Sequence, residues 1–491
     1  MRTALRAFAL GLGLAALAAG PNLSLASSIA EDGDTGTSST ASRPGGATTY
    51  SGPLSRDAFS KPAGNLSFEA KLDFRIGKAL FRRPWVSAPA STSSNDGLGP
   101  LHNARACIQC HQRDGRGHPP AAPWPGDTAV SMLLRLSVPP RTPAERAALA
   151  SGRLAVIPDP HLGGQLQDFA LRTIPAEGRL RIDYAEQTVV LADGATRRLR
   201  RPAVSIVEPA HGPLDPELMI SARVAPPMIG LGLLEAIPEA AVLANADPDD
   251  RDGDGISGRA NRVWDAAARR LALGRFGWKA GQPDIRQQSA AAFSGDLGLS
   301  TRLYPEPWGD CMPTQVACRE APHGDDGPDM PEIADAMLDL VVFYARTLAV
   351  PARREAAHPQ VRQGERLFHA AGCAGCHVPT FRTAADAEPR ALAGQVIHPY
   401  TDLLLHDMGE GLADGRPEAA ADGREWRTPP LWGIGLTERV SGHTFFLHDG
   451  RARNLQEAIL WHGGEAAAAR DRFAGFSAEE RAALLRFVGS L

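Results

Sequence analysis

Cys107-Ile108-Gln109-Cys110-His111 and Cys373-Ala374-Gly375-Cys376-His377 are two copies of one chemical pattern. Cysteines three residues apart can each form a thioether with one vinyl group of a haem, and the adjacent histidine can then reach the iron from the proximal side. A Cys-x-x-Cys pair by itself also suits a redox dithiol or half of a zinc site. The histidine that follows immediately, twice, favours two covalently bound c-type haems. What occupies the other axial position of each iron then decides between electron transfer and catalysis. Two strong protein ligands make a carrier, and an open position lets peroxide or another small oxidant bind.

Further residues could serve such sites. Asn454 can cap a short helix with Glu457 supporting it, which sets Leu455, Ile459 and His462 on one face before Gly463-Gly464 ends it. On spacing alone His462 is as good a core residue as a ligand. Asp114 and Arg116, just after the first unit, could supply acid–base chemistry and charge stabilisation at an open first iron, or could form a tight turn on the haem edge. Asp250, Asp252 and Asp254, followed by Gly255, resemble the start of a calcium loop, although Asn261 stands where the closing Glu would be. One Ca2+ is therefore a further candidate cofactor.

The remaining chain must position these groups. Its 491 residues exceed one ordinary core, and 43% hydrophobic with 22% charged residues is a soluble, globular balance. A net charge of −4 gives no reason to expect nucleic acid or a polybasic membrane contact. Arg2 and Arg6 precede an apolar run from Ala7 to Ala19 that is too short to span a bilayer, and Ser24-Leu25-Ala26 offers a cleavage site after Ala26. This predicts export to the periplasm and a mature chain with no membrane span. In that oxidising setting Cys311 and Cys318 are expected to pair.

Residues 27–65, rich in Ser, Thr, Gly and Ala, read as a flexible linker, with order beginning near Leu66. An internal echo follows: Phe74, Gly77 and Phe81 precede the first unit, and Val361, Gly364 and Phe368 precede the second. An apolar residue at i, Gly at i+3 and Phe at i+7 make one helical stripe, with a Gly where a second helix can cross closely. Val189–Leu191 and Val204–Val207 read as short strands. Ile333 to Leu348 reads as a helix stopped by Pro351, the expected domain boundary. Ser477 and Glu480 form a capping box ahead of a final helix.

The stretches Arg427-Thr428-Pro429-Pro430-Leu431, Phe446-Leu447-His448-Asp449-Gly450 and Leu455-Gln456-Glu457-Ala458-Ile459 resemble the C-terminal half of bacterial di-haem cytochrome c peroxidases. More specifically, the chain resembles the di-haem oxidoreductases, a subfamily also labelled peroxidases and thiol oxidoreductases. Gly97-Leu98-Gly99-Pro100-Leu101, Gly232-Leu233-Leu234-Glu235-Ala236-Ile237-Pro238, Phe276-Gly277-Trp278-Lys279-Ala280 and Leu404-Leu405-His406-Asp407-Met408-Gly409 carry that likeness across nearly the whole mature chain.

In the peroxidases a Met ligand of the second haem stands fourteen residues after the His of His-Asp-Gly, and here that position is His462. The resemblance thus implies a bis-histidine second haem on His377 and His462, with a lower potential than Met ligation gives. It supplies no distal histidine for the first haem. His118, His161 and His211 qualify by type only, so an open first haem on His111 is expected. Trp124, Trp278 and Trp432 are candidates for an aromatic residue between the haems.

The expected architecture is mainly α. Two cytochrome-c-like domains, 66–350 and 351–491, face each other, and the first carries a long, loop-rich, partly β insertion. The expected activity is peroxide reduction, or oxidation of another molecule, at the first haem, with electrons exchanged through the second with a small donor or acceptor protein. The alternative is a di-haem carrier without turnover; a non-enzymatic haem protein in partner binding or iron uptake is a further one.

Overall fold

The computed structural model describes residues 42–92, 94–120, 131–325, 327 and 330–491. The expected signal segment and Trp124 lie outside the described residues. The helices that position the site are α1 (Phe68–Arg82), α2 (Cys107–Cys110), α3 (Ile285–Leu297), α4 (Asp335–Arg346), α5 (Pro359–Ala370), α6 (Leu455–Leu460) and α7 (Ala478–Ser490). Ser67 caps α1 by accepting from the Ala70 amide, and Phe74, Gly77 and Phe81 form its buried stripe. Pro359 opens α5, whose buried stripe is Val361, Gly364 and Phe368. The Ser477–Glu480 capping box starts α7.

These helices form two like pairs, α1 on α4 and α5 on α7. A Cβ on Gly77 would sit 2.1 Å from the Leu340 carbonyl oxygen, and one on Gly364 would sit 1.9 Å from that of Ala483. Only glycine lets the backbones cross this closely, so the echoed glycine marks one crossing in each pair. The echoed phenylalanines end in like places. Phe81 lies 6.2 Å from the His111 ring and Phe368 lies 6.3 Å from the His377 ring, centroid to centroid.

The expectation of a mainly α chain is corrected. Helix accounts for 30% and strand for 18%, and the strands form six two-stranded antiparallel sheets among the described residues. The longest is a hairpin of β2 (Arg179–Val190) and β3 (Thr196–Val207), which contains Val204–Val207 and all but Leu191 of the other short strand read from the sequence. Another joins β1 (Met132–Ser137) to β4 (Met219–Val224), some 80 residues later in the chain. A third joins β5 (Leu405–Asp407) to β6 (Glu425–Arg427). Strands this short show little alternation, and their partners are distant in sequence, so local periodicity undercounts them.

Packing also starts earlier than Leu66. Ala58 and Phe59 are buried among Phe74, Phe81 and Tyr344, so residues 42–65 contribute to the core despite their small-residue composition. Burial crosses residue 351 as well. Phe59, Phe293 and Tyr344 share one apolar cluster with Phe381, Leu403 and Trp432. A second cluster joins Leu134 and Trp278 to Phe368, Trp461 and Phe487. No helix among the described residues is long and apolar enough to cross a membrane.

Candidate functional site

One cavity of about 620 Å³ is lined by Cys107, Cys110 and His111 and also by Cys373, Cys376 and His377. The two units, 266 positions apart in sequence, therefore open into common space. His111 holds its ring by donating from Nδ1 to the Pro226 carbonyl at 2.9 Å. His377 does the same to the Tyr400 carbonyl at 3.0 Å. A carbonyl accepts only, so each Nδ1 carries the proton and each Nε2 keeps its lone pair, the form an iron ligand needs. Burial pushes the His111 imidazole down to about 4. It does the same to His377, with neighbouring His462 adding to the effect against the Tyr400 hydrogen bond.

His462 also lines the cavity. Asn454 caps α6 by accepting from the Glu457 amide, and the helix ends at Leu460. The His462 amide still donates to the Ile459 carbonyl at 3.1 Å. Its Nδ1 donates to the Ala458 carbonyl at 2.8 Å, so a third histidine presents Nε2 in the same manner.

Cys107, Cys373 and Cys376 form no disulfide. Burial pushes Cys107 and Cys373 up to about 12, and it raises Cys110 and Cys376 too. Burial thus works against the thiolate that thiol–disulfide exchange requires. Cys311 and Cys318 are paired, with Cα atoms 6.0 Å apart.

Asp114 does not line the cavity. Fully buried, it accepts from the Tyr344 hydroxyl at 2.6 Å and from the Ser60 hydroxyl, and it fastens the first unit to α4 and to the segment before α1. Its carboxylate thus ties these elements together within the core. Arg116 does line the cavity, donating from Nε to the Phe445 carbonyl at 2.9 Å and lying 5.1 Å over the Trp278 ring. His118, His161 and His211 are not among the lining residues, whereas Trp278 and Trp432 are. The carboxylates of Asp250, Asp252 and Asp254 come within 4.8 Å of one another on the exposed surface. The same loop leads to Ser257, whose hydroxyl donates to Glu465 at 2.6 Å.

Several lining residues escaped sequence reasoning. His406 is clamped between Asp402 at 2.8 Å and Glu465 at 2.7 Å, beside Cys376. Burial alone would strip its proton, but the two carboxylates hold it well above the ordinary histidine range. His448 stacks on Trp426 at 3.7 Å. Lys279, fully buried behind that wall, donates to Asp414 at 2.8 Å and lies 4.6 Å over the Trp426 ring. Arg275 and Arg427 line the cavity too. The available signal was a basic residue inside an otherwise apolar phrase, as in Phe276-Gly277-Trp278-Lys279-Ala280.

A family model described as "Di-haem oxidoreductase, putative peroxidase" matches residues 37–491. The chain belongs to this family. Membership as a di-haem oxidoreductase implies haem cofactors, and the residues fit them: two Cys-x-x-Cys units, an adjacent histidine in each with Nε2 available, and a largely apolar cavity between. No curated protein matches the chain. One solved structure, described as Kuenenia stuttgartiensis hydrazine synthase pressurized with 20 bar xenon, aligns at 17% identity over 57% of this chain and 89% of that chain. Its TM-score of 0.24 is too low to carry an argument.

Proposed function

We propose that this di-haem oxidoreductase is a periplasmic, peroxidase-like enzyme with two covalently attached haems. One is attached to Cys107 and Cys110 with His111 as proximal ligand. Cys373 and Cys376 would attach the other, with His377 and His462 as the residues that would hold its iron. One observation carries the proposal: all three histidines line one cavity and each commits Nδ1 to a backbone carbonyl, at 2.9, 3.0 and 2.8 Å. A core histidine can be satisfied through either nitrogen, so the repeated choice of Nδ1 in one cavity supports a common role as ligands.

When bound, the haems would supply reversible one-electron chemistry and activation of peroxide. The protein's own residues do the rest. Phe81 and Phe368 pack near the proximal rings and fix their planes. Pro226 and Tyr400 hold the tautomer. Arg116, whose pKa burial lowers to about 10, stays cationic and offers charge stabilisation within the cavity. Trp278, His448 and Trp426 form an apolar and aromatic wall that excludes water. The domain reading follows the helix pairs, with α1 and α4 cradling the first haem and α5 and α7 the second. The Asp250, Asp252 and Asp254 loop is proposed to take Ca2+, which three converging carboxylates would favour. Chelation should then loosen the Ser257–Glu465 link beside the second haem.

Steady-state turnover tests the function. Purified protein, given a reduced small redox protein and hydrogen peroxide, should oxidise the donor in step with peroxide loss. Donor oxidation that ignores peroxide would move the protein to the carrier reading.

A further inference from the structure

Seven arginines are buried among the described residues: Arg223, Arg275, Arg353, Arg416, Arg427, Arg451 and Arg481. Five have a carboxylate partner. Arg223 and Arg416 meet Glu418 at 2.8 and 2.9 Å, Arg451 meets Asp449 at 2.8 Å, Arg353 meets Glu365 at 3.3 Å, and Arg481 meets Asp193. Arg275 and Arg427, 8% and 7% exposed, make no ion pair with a described residue. Both line the cavity between the two Cys-x-x-Cys-His units. Burying an unpaired charge is costly, and burial lowers both guanidinium pKa values, Arg427 to about 10, against the weaker pull of Glu235 and Glu239 on Arg275 and of Asp402 on Arg427. The other five buried arginines offset that cost with a direct ion pair, so an anion in the cavity would complete what more distant carboxylates only begin for these two.

Their anchoring suits such a task. Arg275 spends one donor, Nη1 to the Leu234 carbonyl at 3.1 Å. Arg427 spends two, Nε to the Gly277 carbonyl and Nη1 to the Thr428 carbonyl, each at 3.0 Å. A guanidinium has five N–H donors in a planar fork that matches a carboxylate, so each arginine is fixed by backbone and retains unspent donors. The two stand on one strip, because Gly277, which Arg427 grips, is two residues from Arg275. Arg275 is anchored among the core of the first site, against Leu234 in the cluster of Phe81 and Phe293. Arg427 lies in β6 opposite Leu405, beside the second site.

We infer that Arg275 and Arg427 bind carboxylates in the cavity, namely the propionates of the first and the second haem respectively. This rests on the di-haem reading. Each cation also acts as a positioning and potential-setting group: a fixed positive charge beside a haem disfavours the ferric form, which raises the midpoint potential.

The test uses the full-length, haem-loaded protein and spectroelectrochemical titration of Arg275→Gln, Arg427→Gln and the charge-keeping Arg275→Lys and Arg427→Lys. Each Gln variant should lower the midpoint potential of one haem by at least tenfold in its one-electron equilibrium constant, about 59 mV. The other haem should stay put, and the Lys variants should keep most of the wild-type value. Haem is quantified on the same samples. Fewer than two haems per wild-type chain would sink the di-haem reading itself. Two haems with unchanged potentials in all four variants would overturn the propionate assignment. A spectral response to added acetate, present in wild type and lost in the variants while the potentials stay unchanged, would likewise overturn it and give the arginines to an exogenous carboxylate.

Discussion

Gly364→Ala should destabilise the protein although alanine is the better helix former. In the interior of α5 alanine is worth about 1 kcal/mol over glycine. Against that, the added methyl would start 1.9 Å from the Ala483 carbonyl oxygen and 2.7 Å from the Phe487 Cβ. Neither neighbour is a flexible side-chain tip, so α5 and α7 must part. Moving the closest atom out even to 3.0 Å takes about 1 Å, and a gap of ~0.5–1 Å forfeits a quarter to a half of each dispersion contact it opens.

Overpacking of this kind costs about 1–3 kcal/mol, occasionally more. Because the separation would run along the whole Val361, Phe368, Leu484 and Phe487 seam, the clash wins by about 2 kcal/mol. Chemical denaturation followed by circular dichroism reads this directly. Gly489→Ala, on α7 with nothing within 4 Å of its added methyl, is the control and should be neutral or stabilising by up to ~1 kcal/mol. The lesion should also appear at the second haem, since α5 leads into Cys373 and carries Phe368 against His377. A Gly364→Ala protein as stable as wild type would refute the close-crossing argument for both helix pairs.

Glu418 gives a pH test: burial opposes its charge, but Arg223 and Arg416 prevail and hold it down to about 2. Its stabilisation is therefore complete above pH 4.5 and is lost as pH falls toward 2. Glu418→Gln should cost about 3 kcal/mol at pH 7 and almost nothing near pH 2, as pH-resolved denaturant melts would reveal. His462→Ala should convert the second haem from low spin to high spin without loss of covalent haem, and His462→Met should raise its midpoint potential. Optical spectra and titrations would detect both changes. Breaking the Cys311–Cys318 pair by Cys311→Ser with Cys318→Ser frees a short loop and should cost about 2–3 kcal/mol in oxidising buffer. In reducing buffer the variant and the wild type should melt alike.

What could be read in the sequence was what short-range geometry dictates. The Gly77 and Gly364 echo fixes two helix crossings because a missing Cβ leaves a residue-type signature at a helical offset. Caps at Asn454 and Ser477 were equally local, as was the Cys311–Cys318 pairing. Long-range packing was not legible. Phe59 looks isolated in a chain of small residues until Phe74 and Tyr344 surround it. Asp114 has the right type and place for an acid, and nothing local in the sequence shows that Ser60 and Tyr344 donate to it within the core. β1 and β4 have few residues each and find one another across the chain, so the helical estimate ran high. Arg275 and Arg427 are ordinary arginines in the sequence. Their meaning comes from burial without a direct ion pair, which depends on every other element.

Low-temperature electron paramagnetic resonance of the purified ferric protein, with and without hydrogen peroxide, tests the central claim most directly. The account predicts one low-spin bis-histidine signal from the haem on His377 and His462, beside one high-spin signal from the haem on His111. Only the high-spin signal should respond at once to peroxide. Two low-spin signals indifferent to peroxide, before and after one-electron reduction, would contradict an open first haem and leave a di-haem carrier.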